Sequence, residues 1–219
     1  MKIFGKSIRF GDPESADIVI FDETCNYHVR QALNKKYSVA IFNRRPEDIW
    51  IGLRVAICFL RCICQFDFWE AGKHPRGFAR GLLAQLRSLY LESCLMAMKP
   101  KAVVTFIDND VSFNRLSKRC RRFPFIAIQN GIRPRPARYD TNDYSGYYLQ
   151  HLFCMSRHAV DLFPRMGYQV ENFYPVGSLR ASLDFDPQLS MGNEKYDILV
   201  ASSWVGSAGS SREAQDIMR

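Results

Sequence analysis

The stretch Ala102–Gly131, AVVTFIDNDVSFNRLSKRCRRFPFIAIQNG, decides the fold. An apolar run, Ala102–Ile107, ends in the acidic loop Asp108-Asn109-Asp110. A basic segment with helical character follows, Ser112–Arg122. A second apolar run, Phe123–Ile128, ends in Gln129-Asn130-Gly131. Short apolar runs bounded by turn residues read as buried strands. The stretch is therefore a strand, a loop, a helix and a second strand, with polar loops at both strand C-termini. In open α/β sheets ligands bind at the carboxyl ends of the strands, so one segment points to both a fold and a place for a site.

The same alternation extends to either side. Ala16–Phe21 (ADIVIF) reads as a strand that ends at Asp22-Glu23, with Thr24 placed to cap a helix running to Asn34. Tyr37–Phe42 is the next strand, and a helix is predicted over Glu47–Phe66. A long helical pattern covers Phe78–Met98 and is stopped by Pro100. Beyond Gly131, an arginine- and proline-containing loop leads to a strand over Tyr147–Met155. A helix over Arg157–Met166 and a strand over Asn172–Val176 complete the pattern, and that strand ends at Gly177-Ser178. Residues 183–194 read as a polar linker. Tyr196–Ala201 and the small-residue loop before Ser210 then begin a further β-α unit. One β-α unit is not a domain, because a parallel strand needs neighbours on both sides. The expected organisation is a Rossmann-like α/β domain over 1–182, with a parallel sheet and helices on both faces, a linker over 183–194, and the start of an incomplete second domain over 195–219.

Composition sets outer bounds. The chain has 219 residues, 47% apolar and 24% charged, which is globular composition and not disorder. Its net charge of +8 favours anionic partners: nucleotide phosphates, acidic glycans, an anionic membrane surface or nucleic acid. No nucleic-acid motif accompanies the basic excess, and nucleic acid is not expected. The seven cysteines are odd in number, and Met1–Lys6 lacks the apolar core of a secretory signal. The expectation is a cytoplasmic chain with reduced, mostly buried thiols. Cys62-Ile63-Cys64 is too close for the common zinc spacings, so no metal is expected. The longest apolar stretch, Ile49–Phe68, is interrupted by Arg54, Arg61 and Asp67. It reads as a core helix, with a membrane-surface helix as the alternative.

The residues at the strand ends carry a family resemblance. Phe21-Asp22-Glu23, Thr105–Asp110, Ile128–Arg133 and Val176-Gly177-Ser178 resemble the N-terminal half of GT-B glycosyltransferases, and more closely the bacterial surface carbohydrate biosynthesis proteins. Gln129-Asn130-Gly131 is also similar to the Gln-His-Gly turn of CDP-glycerol glycerophosphotransferases. Asn130 stands where that family has its histidine base, so that role does not transfer. The resemblance covers residues 16–203. It implies two Rossmann-like domains around a cleft, with the acceptor on the first and a nucleotide-sugar on the second. It also implies no bound metal or other cofactor. This chain would hold essentially the acceptor half. The implied activity is transfer of a sugar from a nucleotide-sugar to a glycan or lipid-linked acceptor in surface polysaccharide synthesis, with a place at the inner face of the cell membrane. A nucleotide-sugar epimerase, a glycerophosphate transferase or a catalytically incompetent fragment are the alternatives.

Candidate site residues follow from chemistry. Glycosyl transfer with inversion needs a base for the acceptor hydroxyl, and Asp22, Glu23 and Asp108 are the candidates. Asn109, Asp110, Gln129 and Asn130 can read sugar hydroxyls as donors or acceptors. Gly131 would let the backbone turn tightly towards a ligand. Arg133, Arg135 and Arg138 suit carboxylates or phosphates, Gly177 and Ser178 would line an interdomain cleft, and the loop Gly206–Ser211 would cradle a donor diphosphate. Each has a plainer reading. Asp22 and Glu23 complement a helix dipole, Asp108 and Asp110 make Asx turns and caps, and Asn130-Gly131 is a common turn. The four histidines are scattered and read as structural. His28 is the one set apart, because it follows Asp22-Glu23.

Overall fold

The structure, a computed structural model, describes residues 2–3, 6–23, 26–33, 36–43, 48–64, 77–131, 146–179 and 182. The chain divides into two units, Met1–Asp184 and Phe185–Arg219, and every described residue lies in the first. The expected linker and second-domain start lie outside the described residues, as do Thr24, Arg133, Arg135, Arg138 and the loop Gly206–Ser211.

In chain order the elements are β1 (Lys2–Ile3), β2 (Lys6–Phe10), β3 (Ile18–Phe21), α1 (Asn26–Ala32), β4 (Val39–Phe42), β5 (Asp48–Ile51) and α2 (Leu53–Ile63). They continue with α3 (Phe78–Met98), β6 (Ala102–Thr105), α4 (Val111–Arg119), β7 (Phe125–Ile128), β8 (Tyr148–Cys154), α5 (Arg157–Arg165) and β9 (Gln169–Pro175). Six strands form one sheet in the order β4-β3-β6-β7-β8-β9, and every pair in it is parallel. The fold is an α/β fold with a parallel sheet flanked by helices, Rossmann-like in the broad sense.

The strand order dictates where the helices go. From β3 the chain steps to β4 on one side, whereas β6, β7, β8 and β9 step away in the other direction. Crossovers between parallel strands are right-handed, so opposite directions put the helices on opposite faces. Side-chain alternation agrees. Ile18, Ile20, Ala102, Val104 and Phe106 pack with Val29 of α1. Val19, Phe21, Val103 and Phe125 face the other way, with Val55 of α2, Leu91 of α3, Phe113 of α4 and Phe163 of α5. Strands β3 and β6 are buried at every position, as central parallel strands covered on both faces should be. Phe21 meets Phe42 at 6.2 Å and Phe113 at 5.7 Å, and Phe113 meets Phe125 at 5.4 Å. This aromatic row runs from β4 to β7 and seats α4 on the sheet.

Two expectations are corrected. The predicted helix over Glu47–Phe66 is split, because Asp48–Ile51 is strand β5, paired in parallel with β2 in a separate three-stranded sheet. Helix α2 then starts at Gly52, where a side chain would not fit: a Cβ there would lie 2.2 Å from Asp12 Oδ1 and 2.5 Å from the Gly11 carbonyl. Asp12 supplies the missing cap from 43 residues away, accepting the Val55 amide at 3.0 Å and Arg54 Nε at 3.2 Å. The second correction concerns burial. Only Val55 and Cys62 of α2 are buried, so it covers the sheet domain along one narrow stripe and is not a core helix. The six described cysteines are free thiols, and no described helix is long and apolar enough to cross a membrane.

Candidate functional site

The sheet switches direction between β3 and β6, and the chain leaving these strands goes to opposite faces. A crevice opens between such strand ends. Thr105 stitches its floor: the hydroxyl donates to the Phe21 carbonyl at 3.0 Å and accepts the Ile107 amide at 3.1 Å. Above Phe21 the backbone turns through Asp22, whose φ of 78° is left-handed. A non-glycine residue held there costs of order 1–3 kcal/mol, although Asp and Asn tolerate it best. Its amide donates to the Phe42 carbonyl at 2.9 Å, and the Glu23 amide donates to Asn43 Oδ1 at 3.0 Å. The strand ends thus fix the backbone while the Asp22 side chain stays half-buried and Glu23 exposed.

On the β6 side the acidic loop divides its labour. Asp110 is the N-cap of α4, and its Oδ1 accepts the Phe113 amide at 2.8 Å. Asn114, one turn on, donates to the Asp108 and Asp110 carbonyls at 3.2 and 2.7 Å. Asp108 is fully buried, with Oδ1 3.5 Å from the Asn130 amide, so its carboxylate organises the neighbouring loop. Asn109, between them, is half-buried.

The β7 end is braced in the same manner. The Gln129 side chain is buried, donates to the Gly131 carbonyl at 2.8 Å and accepts the Met155 amide at 2.9 Å. One end of its amide thus braces the loop after β7, and the other ties that loop to the end of β8. Asn130 is half-buried beside it. Gly131 has no left-handed φ, and among the described residues a Cβ there would meet nothing within 4 Å. The chain bends at Gly131, and the residues that would complete the expected turn lie outside the described residues. Gly177 does need glycine, with φ 97°, and its amide donates to the Cys154 carbonyl at 3.3 Å.

Distance separates the candidates into groups. Adjacent strands lie about 4.8 Å apart, so β9 is roughly 19 Å from β3, four spacings away. Asp22, Glu23 and the Asp108–Asp110 loop flank one crevice, and Asn130 is one strand further. Gly177 and Ser178 lie past β9, where the chain turns back: the Val176 and Gly177 amides donate to the Cys154 carbonyl at the β8 end, and Leu179 packs against the cluster of β3, β6 and α1.

The sequence reading set His28 aside, and the structure brings it back. The ring lies 5.8 Å from Phe106, the residue that follows β6, and 5.7 Å from Tyr27. Its Nδ1 is buried with no hydrogen-bond partner among the described residues. A buried polar atom left unpaired costs about 1–3 kcal/mol, and water or a ligand can complete its bonding; Asn114 Oδ1, after β6, is likewise unpartnered among the described residues. The only signal in the sequence was its position six residues after Asp22. Among the described residues, no group of three or more His, Cys, Asp or Glu side chains is placed to hold a metal ion.

Compared with protein families, with curated proteins and with solved structures, the chain matches none.

Proposed function

We propose that this chain is the acceptor-binding half of a glycosyltransferase-like enzyme of bacterial surface polysaccharide synthesis. One observation supports the reading: Asp22 and Glu23 follow β3 and Asn109 follows β6, the two strands at the sheet's switch point, where folds of this plan bind ligands, and the His28 ring lies 5.8 Å from Phe106 after β6. The acceptor hydroxyl would enter beside Asp22. The Asp22 or Glu23 carboxylate would take its proton as the oxygen attacks the anomeric carbon of a nucleotide-sugar. The new C–O bond forms as the bond to the diphosphate breaks, and the nucleoside diphosphate leaves with the electron pair. Asn109 and Asn130 would hold sugar hydroxyls. Asp108 would act as a positioning residue through the Asn130 amide. Arg133 and Arg135, which follow in sequence, suit an acidic sugar or a lipid-linked diphosphate. Gly177 and Ser178 would meet the acceptor or donor as well. The setting is the cytoplasmic side of the cell membrane, where lipid-linked acceptors are built.

The test is product analysis by mass spectrometry, with a panel of nucleotide-sugars and with glycan and polyprenyl-linked acceptors. A new glycosidic bond, lost in Asp22→Asn, supports the reading. An isomerised donor would replace it with an epimerase, and a phosphodiester product with a glycerophosphate-type transferase. Neither binding nor turnover would make the chain a catalytically incompetent fragment.

A further inference from the structure

Helix α2 carries two apolar stripes where a globular helix needs one. The first faces inward: Val55 and Cys62 are buried, and Cys62 Sγ lies 3.6 Å from Met96 Sδ of α3. The second faces out. Leu53, Ile57, Leu60 and Ile63, at intervals of four, three and three, recur on one side of the helix. All four are exposed, Leu53 at 75% and Leu60 at 65%. The small sheet adds a second exposed apolar pair. Phe10 and Ile51 are register partners on β2 and β5, so they share a sheet face, and they are 79% and 52% exposed. Monomeric proteins seldom leave so many large apolar side chains contiguous in water, and such a patch marks an interaction surface.

Charge identifies the partner. Helix α2 contains no acidic residue. Arg61 stands on one shoulder of the exposed stripe; Arg54, seven residues before it on the same shoulder, is already paired with Asp12 at 3.2 Å. Arg9, next to Phe10, lies over the Trp50 ring at 5.5 Å. The chain as a whole carries +8. An apolar ridge with a basic flank is the form of a helix that lies in a membrane interface, its apolar side in the acyl boundary and its cations at anionic headgroups. Eleven residues make a ridge about 16 Å long, suited to lying flat and too short to span. A second copy of the chain would bring basic flank against basic flank.

We infer that the outer face of α2, with Phe10 and Ile51, docks this protein on an anionic lipid bilayer. The inference is independent of the sugar chemistry proposed above, since it uses none of the crevice residues. Vesicle flotation tests it. The chain should float with vesicles of phosphatidylglycerol and phosphatidylcholine and stay below with phosphatidylcholine alone, and salt should release it. The double variant Leu53→Gln/Leu60→Gln replaces exposed side chains, so the fold should persist with an unchanged melting temperature. Its partition should fall by at least about tenfold, and that of Arg61→Glu by about fivefold. Failure of the native chain to float, equal binding to both vesicle types, or unchanged binding of both variants would overturn the inference. Sedimentation without lipid supplies one more outcome: self-association abolished by Leu60→Gln would assign the face to a second copy and overturn it as well.

Discussion

The two edges of the parallel sheet are built to different rules. At the amino edge, polar groups close upon one another. Asp17, just before β3, pairs with Lys101 Nζ at 2.9 Å and accepts the Ser38 amide and hydroxyl at 3.0 and 2.9 Å. Buried Gln150 accepts the Phe125 amide at 3.1 Å and donates to the Ser117 and Cys120 carbonyls at 2.7 and 2.9 Å. Arg121 Nη1 donates to both carboxylate oxygens of Glu171 at 2.9 Å, and the guanidinium lies 4.9 Å from the Tyr148 ring centre. At the carboxyl edge His28 Nδ1 is buried without a partner among the described residues; left-handed backbone occurs at both edges, at Asp22 and Gly177 here and at Lys99, Gly146 and Gly167 at the amino edge. The difference between the edges therefore lies in their side-chain bonding and not in backbone strain. Under the proposed function, stability and function would divide along the strand direction.

The largest effect expected is on rate. Asp22→Asn keeps a residue that tolerates left-handed φ and removes the charge. Transfer should fall by about 10²–10⁴ if the carboxylate is the base, with the melting temperature unmoved. A large loss of stability instead would make Asp22 scaffold and blur the two edges. The amino edge should respond in the opposite sense. Gln150→Leu strands the Phe125 amide and two carbonyls, at about 1–3 kcal/mol each before relaxation. Denaturant unfolding should show a loss of several kcal/mol, while ligand affinity at the crevice holds. A stability change below 1 kcal/mol (roughly one hydrogen bond) would mean that the clamp is not closed in solution.

These differences explain what could be read in advance. Strands β3, β6 and β7 were legible because central parallel strands are short apolar runs that end in polar loops. Helix α3 was legible through its pattern and Pro100. Strands β2 and β5 were not: Lys6–Phe10 mixes polar and apolar residues, and Asp48–Ile51 runs into the apolar stretch of α2. Their parallel pairing joins segments about forty residues apart, and no local signal encodes such a contact. The strand-end location of Asp22, Asp108, Gln129 and Asn130 was legible as well. The division of work among them was not. Capping by Asp110 and bracing by Gln129 use the same residue types as ligand binding, and only burial and bond partners separate these uses. His28 needed the α1–β6 contact before it had any meaning.

His28 offers a sharper test of the carboxyl edge. His28→Phe keeps an aromatic ring against Phe106 and deletes the unpaired nitrogen. Removing a buried unsatisfied atom should stabilise the fold by about 1 kcal/mol, while acceptor binding weakens by a similar amount, a several-fold loss. Thermal melts and calorimetric titration with acceptor read the two effects. A stability gain bought with lost function is the usual trade at a site. If the variant is instead less stable, Nδ1 has a partner in solution and the contrast between the edges narrows.

The smallest effect belongs to Asp17. Its carboxyl is held down to about 2, first by the Lys101 ammonium and then by the Ser38 amide and hydroxyl, against an ordinary value near 3.9. A carboxyl with a folded value below its unfolded one stabilises the fold above the unfolded value. That contribution is lost as pH falls through the folded value. Urea midpoints should therefore decline between pH of about 4 and about 2 in the native chain. Asp17→Asn should lower the neutral-pH midpoint and flatten that window. Lys101 is 71% exposed, so salt should screen part of the difference. Parallel acid limbs for the two proteins would show that Asp17 is not held by Lys101 and Ser38. The amino edge would then be closed only at β7 and β8, by Gln150, and at β8 and β9, by Arg121.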